Sequence, residues 1–216
     1  MKIVLIAPPS ITVPPQKYGG TQRDVYWLAK GLTEMGHEVS VLAKKGSYIN
    51  KKTEIIEIPE ETSGKEFFFF FPEKFDIVNF HVKINFEPDI PYLHSLHGNC
   101  KKNEFLPRNT SFISEKHKNN HGGKYFVYNG LDLEEYEYSS NTNNYFSYIG
   151  KISADYKNSS YAVELAKKTN INLKLAGGWR TSFRKSIEYL GKIGGQKKID
   201  FLKNAKALIF PTAWEE

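Results

Sequence analysis

Tyr18-Gly19-Gly20-Thr21-Gln22-Arg23-Asp24-Val25-Tyr26-Trp27-Leu28-Ala29-Lys30-Gly31-Leu32-Thr33-Glu34-Met35-Gly36-His37-Glu38-Val39-Ser40-Val41-Leu42-Ala43, residues 18–43, is the stretch that decides the fold. Val25, Leu28, Ala29, Leu32 and Met35 recur at the three-and-four spacing of one buried helix face. Thr21 with Asp24 reads as the cap of that helix and Gly36 as its stop. Glu38 to Ala43 then reads as a strand, and Ile3 to Ala7, before the glycine loop, as another. Strand, glycine loop, helix and strand in that order make one unit of a parallel sheet.

The pattern continues along the chain. Asp76 to Phe80, Tyr92 to Leu96, Ser111 to Ser114 and Tyr125 to Tyr128 are the next expected strands. The polar run Ser139-Ser140-Asn141-Thr142-Asn143-Asn144 has almost nothing to bury and reads as a domain boundary. A second series follows: Tyr145 to Ile149 as strand, Ser160 to Lys168 as helix, Asn172 to Ala176 as strand. Ile199 to Asn204 reads as helix and Ala207 to Phe210 as strand. The expected fold class is therefore α/β with two lobes, 1–140 and 145–216, the second short enough to look incomplete for a doubly wound domain.

A net charge of +6 over 216 residues favours anionic partners without choosing among nucleotide phosphates, nucleic acid and lipid headgroups. The basic residues are spread over both lobes rather than arrayed on one helix, which argues against nucleic acid. Cys100 is the only cysteine, so no disulfide forms within the chain and a reducing cytoplasm fits. The apolar run at the N-terminus is too short for a signal peptide, and no run approaches the roughly 20 apolar residues of a membrane helix. Phe67 to Phe71 reads mainly as a buried segment, with dipping into a membrane interface or an acceptor groove as the other reading.

Several positions could carry chemistry. Gly19-Gly20 offers free amides where a helix begins, which suits an anion, though a plain turn explains a glycine pair as well. Gly150-Lys151, with Lys157 six residues on, repeats the arrangement with two cations added; two solvated lysines are the alternative. Gly177-Gly178 follows an expected strand end, where ligands of open α/β sheets bind, and Arg180 is near enough in sequence to add charge. His97 also follows a strand and could bond a sugar hydroxyl or move a proton; His81 has the same place and a weaker case. The other histidines show no metal spacing, and the chain lacks a phosphate loop, a Gly-x-Ser-x-Gly elbow and a Gly-x-Gly-x-x-Gly turn after its first strand.

Taken in order, these pieces resemble the retaining GT-B glycosyltransferases, specifically glycosyltransferase family 4. The resemblance rests on Tyr18-Gly19-Gly20-Thr21, Gly36-His37-Glu38-Val39, His97-Gly98, Ser114-Glu115 and Tyr128-Asn129-Gly130-Leu131-Asp132 in the first half. It continues with Gly150-Lys151, Lys157, Leu175-Ala176-Gly177-Gly178 and Phe210-Pro211-Thr212-Ala213-Trp214-Glu215-Glu216. It implies two Rossmann-like lobes facing a cleft, with a saccharide or lipid-linked acceptor on the first and a UDP-, GDP- or ADP-sugar donor on the second. Transfer with retention, with no cofactor and no obligatory metal, is the implied reaction, in the cytoplasm or peripheral to a membrane.

By the same resemblance His97, Lys151, Lys157 and Glu216 are the catalytic group, and Gly19, Gly20, Gly150, Gly177, Gly178, Arg180 and Glu215 bind the donor. Lys151 stands where the family commonly has arginine, which keeps the charge and loses the two-pronged grip. The family's second glutamate, eight residues beyond the first, has no counterpart here, and the first lobe is short between Lys44 and Asp76. Two alternatives therefore stand beside the transferase: a non-catalytic remnant that binds nucleotide sugar or a partner, and a GT-B-like sugar-nucleotide epimerase.

Overall fold

The computed structural model describes residues 1–101 and 103–214, which divide into two compact units. One comprises Met1–Pro15 and Gly19–Leu131; the other comprises Gln16–Tyr18 and, among the described residues, 132–214.

The first unit is built on a seven-stranded sheet. Its strands are β1 (Lys2–Ile6), β2 (Glu38–Ala43), β3 (Thr53–Glu57), β4 (Ile77–Phe80), β5 (Tyr92–Leu96), β6 (Thr110–Phe112) and β7 (Tyr125–Phe126). Every neighbouring pair is parallel, in the order β3-β2-β1-β4-β5-β6-β7. Alternation along β1 loads both faces. Ile3, Leu5 and Ala7 pack with Val39, Val41, Val25 and Ala29, while Val4 and Ile6 pack with Leu42, Val78, Phe80 and Phe67. The strand order reverses between β1 and β4, so the crevice at their carboxyl ends is where such a sheet receives a ligand.

Helix α1 (Gly20–Glu34) covers the first face, and its buried positions are Gln22, Val25, Ala29 and Thr33. The expected face was therefore rotated: Leu28 is 37% exposed and Met35 68% exposed. Thr33 is tolerated inside because its hydroxyl donates to the Ala29 and Lys30 carbonyls. The cap also differs from expectation, since Gly19 precedes the first turn and no side chain caps it. Gly36, at φ +87, ends the helix as expected.

The opposite face is closed by a 3₁₀ turn, Gly64–Phe70, opened by a reciprocal cap between Ser63 and Glu66. Phe67 is buried within it, Phe68, Phe70 and Phe71 pack against the same core, and Phe69 is 85% exposed. The short helix α2 (Glu115–Asn120) begins on Ser114, whose hydroxyl accepts from the His117 amide.

The second unit has a three-stranded parallel sheet, β10-β9-β8, from β8 (Phe146–Ile149), β9 (Leu173–Ala176) and β10 (Ile187–Tyr189). Helix α3 (Ser159–Thr169) buries Ala162 and Ala166 against Tyr148, Leu173 and Leu175. Helix α4 (Gly195–Lys203) buries Phe201 with Tyr145, Ala176 and Ala205. The expected strand Ala207–Phe210 is reduced to one parallel bridge, Ser147 to Leu208, with the Ser147 amide donating to Ala207 and the Ile209 amide to Ser147. That bridge lies beside β8, on the side away from β9, so this sheet too reverses direction at β8, and Gly150 stands at the reversal.

Candidate functional site

The carboxyl edge of the first sheet gathers five of the chain's six histidines. His81 follows β4, His94 lies in β5, His97 follows β5, and His117 and His121 belong to α2 and its end. The sequence pointed to His97 and His81; the strand register supplies His94, and the packing of α2 on Phe112 supplies the last two. Short spacings link only His94 to His97 and His117 to His121, and the sheet brings these pairs and His81 together from positions up to 40 apart.

The geometry is tight around His97. His97 Nε2 lies 2.8 Å from His81 Nδ1, and the two rings stack at 5.1 Å. His97 Nδ1 lies 3.6 Å from Asp24 Oδ2, on the first turns of α1, with side chains only 12% and 18% exposed. Burial pushes the Asp24 carboxyl up to about 7, and burial, aided by His117, pushes His97 down to about 4. Burial does the same to His94, to about 4, and drives His81 well below its ordinary value, with His97 and His94 adding to it. Near pH 6 the 3.6 Å contact is therefore a neutral acid beside a neutral imidazole, and the name salt bridge does not describe it.

His81, His94 and His97 line a pocket of about 300 Å³ with Pro8, Thr21, Val82, Lys83, Ser95 and Leu96. His81 Nε2, His94 Nε2 and His97 Nδ1 are buried polar atoms with no hydrogen-bond partner. Such atoms cost free energy unless something fills the place opposite them. Among the described residues no group of three or more His, Cys, Asp or Glu is arranged to hold a metal ion.

The glycine loop stands above the same edge. Gly19 has φ +157, and a Cβ there would come 2.8 Å from the Pro15 side chain, so the turn itself demands glycine. Gly20 is different, because a Cβ there meets nothing within 4 Å. The loop is held by Gln22 Nε2 donating to the Pro8 carbonyl and by the Arg23 guanidinium donating to that of Pro15.

In the second unit, Gly150 follows β8 and its amide donates to the Ala176 carbonyl. Gly177 and Gly178, at φ +121 and +158, close the neighbouring strand end against Gly150 and Ile152. Lys151 is exposed. Lys157 closes a 3₁₀ turn, Asp155–Lys157, with its ammonium 5.4 Å from the Tyr156 ring, which in turn meets Trp214 at 4.3 Å. Arg180 donates to the Ile152 carbonyl and lines a different pocket, of about 400 Å³, with Ser160, Lys167 and Arg184. Neither Gly150, Lys151 nor Lys157 borders that pocket. Glu215 and Glu216 lie outside the described residues.

No protein-family model matches the sequence, and no curated protein matches it significantly. Solved structures do. AviGT4, a glycosyltransferase involved in avilamycin A biosynthesis, superposes with a TM-score of 0.80 at 22% identity, covering 98% of this chain and 70% of that one. WaaG, a glycosyltransferase involved in lipopolysaccharide biosynthesis, gives 0.61 at 12%, covering 98% and 75%. T4 phage BGT, solved in complex with UDP and Mn²⁺, gives 0.58 at 16%, covering 98% and 74%. At these identities the likeness concerns the backbone, and by it the chain has the α/β fold class of the GT-B glycosyltransferases.

Proposed function

We propose that the chain binds a nucleotide sugar and transfers the sugar, with retention, to a saccharide or lipid-linked acceptor. The observation that carries this reading is the placement of its polar groups. Within each unit they collect at the carboxyl end of the sheet where strand order reverses, the place where open α/β sheets take ligands. In the first unit that edge offers unpartnered imidazoles and an open helix start, which suit the hydroxyls of an acceptor. In the second it offers Gly150, Lys151 and Lys157, a small turn with two cations, which suits a diphosphate.

Chemically, the departing nucleoside diphosphate gains negative charge, and Lys151 and Lys157 oppose that charge without needing to move a proton. Glu216, and Glu215 beside it, complete the donor side in this reading, with Gly177 and Gly178 closing the strand end beside Gly150, while Arg180 borders a separate pocket. No metal is required by it, since the lysines supply the positive charge. The AviGT4 and WaaG likenesses support the reading through the fold they share with this chain.

The deciding experiment is calorimetric titration of the purified chain with UDP, GDP and ADP and their glucose conjugates, followed by an assay for released nucleoside diphosphate with and without sugar acceptors. Saturable binding of one nucleotide together with acceptor-dependent release is the expected result. Binding without release would assign the chain to a non-catalytic binder, and no binding to any of the three would sink the reading.

A further inference from the structure

The contacts of His97 join three titratable groups into one line. Asp24 Oδ2 faces His97 Nδ1, and His97 Nε2 meets His81 Nδ1, leaving His81 Nε2 as the far end. His81 borders the 300 Å³ pocket, is 7% exposed, and has no protein partner for that last nitrogen. We propose that Asp24, His97 and His81 form a proton relay, in which His81 takes the proton that a ligand hydroxyl loses in the pocket and passes one, through His97, to Asp24. It rests on the transferase reading, which requires an acceptor hydroxyl to shed its proton, and it assigns Asp24 and His97 as positioning residues behind His81.

The bookkeeping of protons is fixed by the short contact. A neutral imidazole carries one N–H, so a 2.8 Å contact between two of them uses the N–H of one and the lone pair of the other. In the first arrangement His81 holds its proton on Nδ1 and donates to His97, His97 holds its own on Nδ1 toward an ionised Asp24, and His81 Nε2 is a free lone pair. In the second, Asp24 is protonated, His97 donates from Nε2, and His81 is protonated on Nε2.

The first becomes the second when one proton enters at His81 Nε2, one crosses from His81 Nδ1 to His97 Nε2, and one crosses from His97 Nδ1 to Asp24. The hydroxyl oxygen keeps the electron pair of its broken O–H bond and uses it to bond the sugar carbon on the face from which the diphosphate departs. The diphosphate's bond to that carbon breaks with its pair on the leaving oxygen, so that configuration is retained. Closing the 3.6 Å gap by about 0.7 Å gives Asp24 and His97 an ordinary hydrogen bond.

The surroundings favour shuttling a proton over storing charge. His94 and Lys83 stand at the pocket wall beside His81, His117 faces His97, and Arg23, next to Asp24, is committed to the Pro15 carbonyl. Burial first, and the neighbouring imidazoles after it, oppose a charged imidazole at His81 and His97, so each passes a proton on and stays neutral. Asp24, whose carboxyl burial lifts to about 7, is poised to hold it at the end of the line.

The test uses the full chain labelled with ¹⁵N, following the side-chain nitrogens of its six histidines from pH 5.5 to 8.5. We expect His97 and His81 to exchange tautomer together with one midpoint near 7, and Asp24→Asn to abolish that transition. His97→Gln cuts the line in its middle and should leave His81 without any pH response in the same window. The wild-type spectra decide even if a variant folds poorly: flat nitrogen shifts, or separate midpoints for His81 and His97, overturn the relay, as does a transition that survives Asp24→Asn. A chain that transfers no sugar yet shows the coupled transition keeps the relay and loses the transferase reading, and the converse result separates them in the other direction.

Discussion

A Cβ on Gly177 would stand 1.9 Å from the carbonyl oxygen of Gly150. The two glycines end adjacent strands, and their backbones touch where the sequence suggested space for a donor. Gly177 is therefore required by the fold before any ligand is considered, since it also has φ +121. Gly177→Ala should cost about 2–4 kcal/mol, from backbone strain plus the displaced carbonyl. Urea unfolding of the variant measures this, and a loss under ~0.5 kcal/mol would contradict the contact.

Gly20→Ala is the opposite case. A Cβ there meets nothing within 4 Å, and alanine in a helix gains about 0.5–1 kcal/mol over glycine. Stability should hold or rise. If the open helix start receives a ligand, the added methyl should still weaken nucleotide or acceptor binding, so titration of the variant separates a binding role from a folding role.

Acid should destabilise the first unit through its buried imidazoles. His94 and His97 titrate near 4 in the fold against about 6.5 in the unfolded chain, so unfolding takes up protons between those values. The stability they contribute is complete above pH 6.5 and is lost as pH falls toward 4; His81 and His117, also lowered, act in the same direction. Asp24 opposes them, because its raised value makes stability fall as pH rises from 3.8 through about 7. His94 and His97 against the one carboxyl already leave a net uptake of about one proton, or about 1.4 kcal/mol per pH unit between 4 and 6.5, and His81 and His117 steepen that slope. Denaturation midpoints from pH 4.5 to 8 should peak near 6.5, and Asp24→Asn should remove the decline on the alkaline side.

Lys157→Ala and Lys151→Ala test the donor reading of the second unit. Neither ammonium forms an ion pair among the described residues, so their removal should change stability by less than ~1 kcal/mol, the Lys157 contact with the Tyr156 ring included. A charged contact to a diphosphate contributes about 1.5–3 kcal/mol, so each variant should bind nucleotide roughly ten- to a hundredfold more weakly. Unaltered affinity in both variants would remove the lysines from the site.

How much of this was legible in the chain follows from what each signal depends on. The strands Glu38–Ala43 and Tyr92–Leu96 were read to the residue, because apolar runs on a sheet buried on both faces need no partner to be recognised. Strand β3, Thr53-Glu54-Ile55-Ile56-Glu57, was missed because an edge strand with three polar positions looks like a loop. Strand β10 has only three residues and the same defect. Spacing found the amphipathic helix α1 but not the angle of its face, since Gln22 and Thr33 are buried through hydrogen bonds that no hydrophobic pattern reports. The histidine cluster was half visible: strand ends pointed to His81 and His97, while Asp24 looked like a cap until the packing turned it toward His97.

The five-phenylalanine run gives the sharpest contrast between neighbours. Phe67 is 2% exposed and sits among Val4, Ile6, Val78 and Phe80, whereas Phe69, two residues on, is 85% exposed. Phe68 and Phe71 meet edge to face at 5.1 Å, and Phe71 meets Phe75 at 5.4 Å, so the rings form a packed layer over the sheet and only Phe69 projects. Phe67→Ala should therefore cost about 3–5 kcal/mol, from lost burial and the cavity left behind. Phe69→Ala should change stability by less than ~0.5 kcal/mol. A membrane role for the run would have to rest on the single Phe69 ring, worth at most about 1.5–3 kcal/mol if fully inserted. Vesicle sedimentation of wild type and Phe69→Ala measures that contribution directly, and urea titration of the two alanine variants checks the core assignment; equal destabilisation by both would refute it.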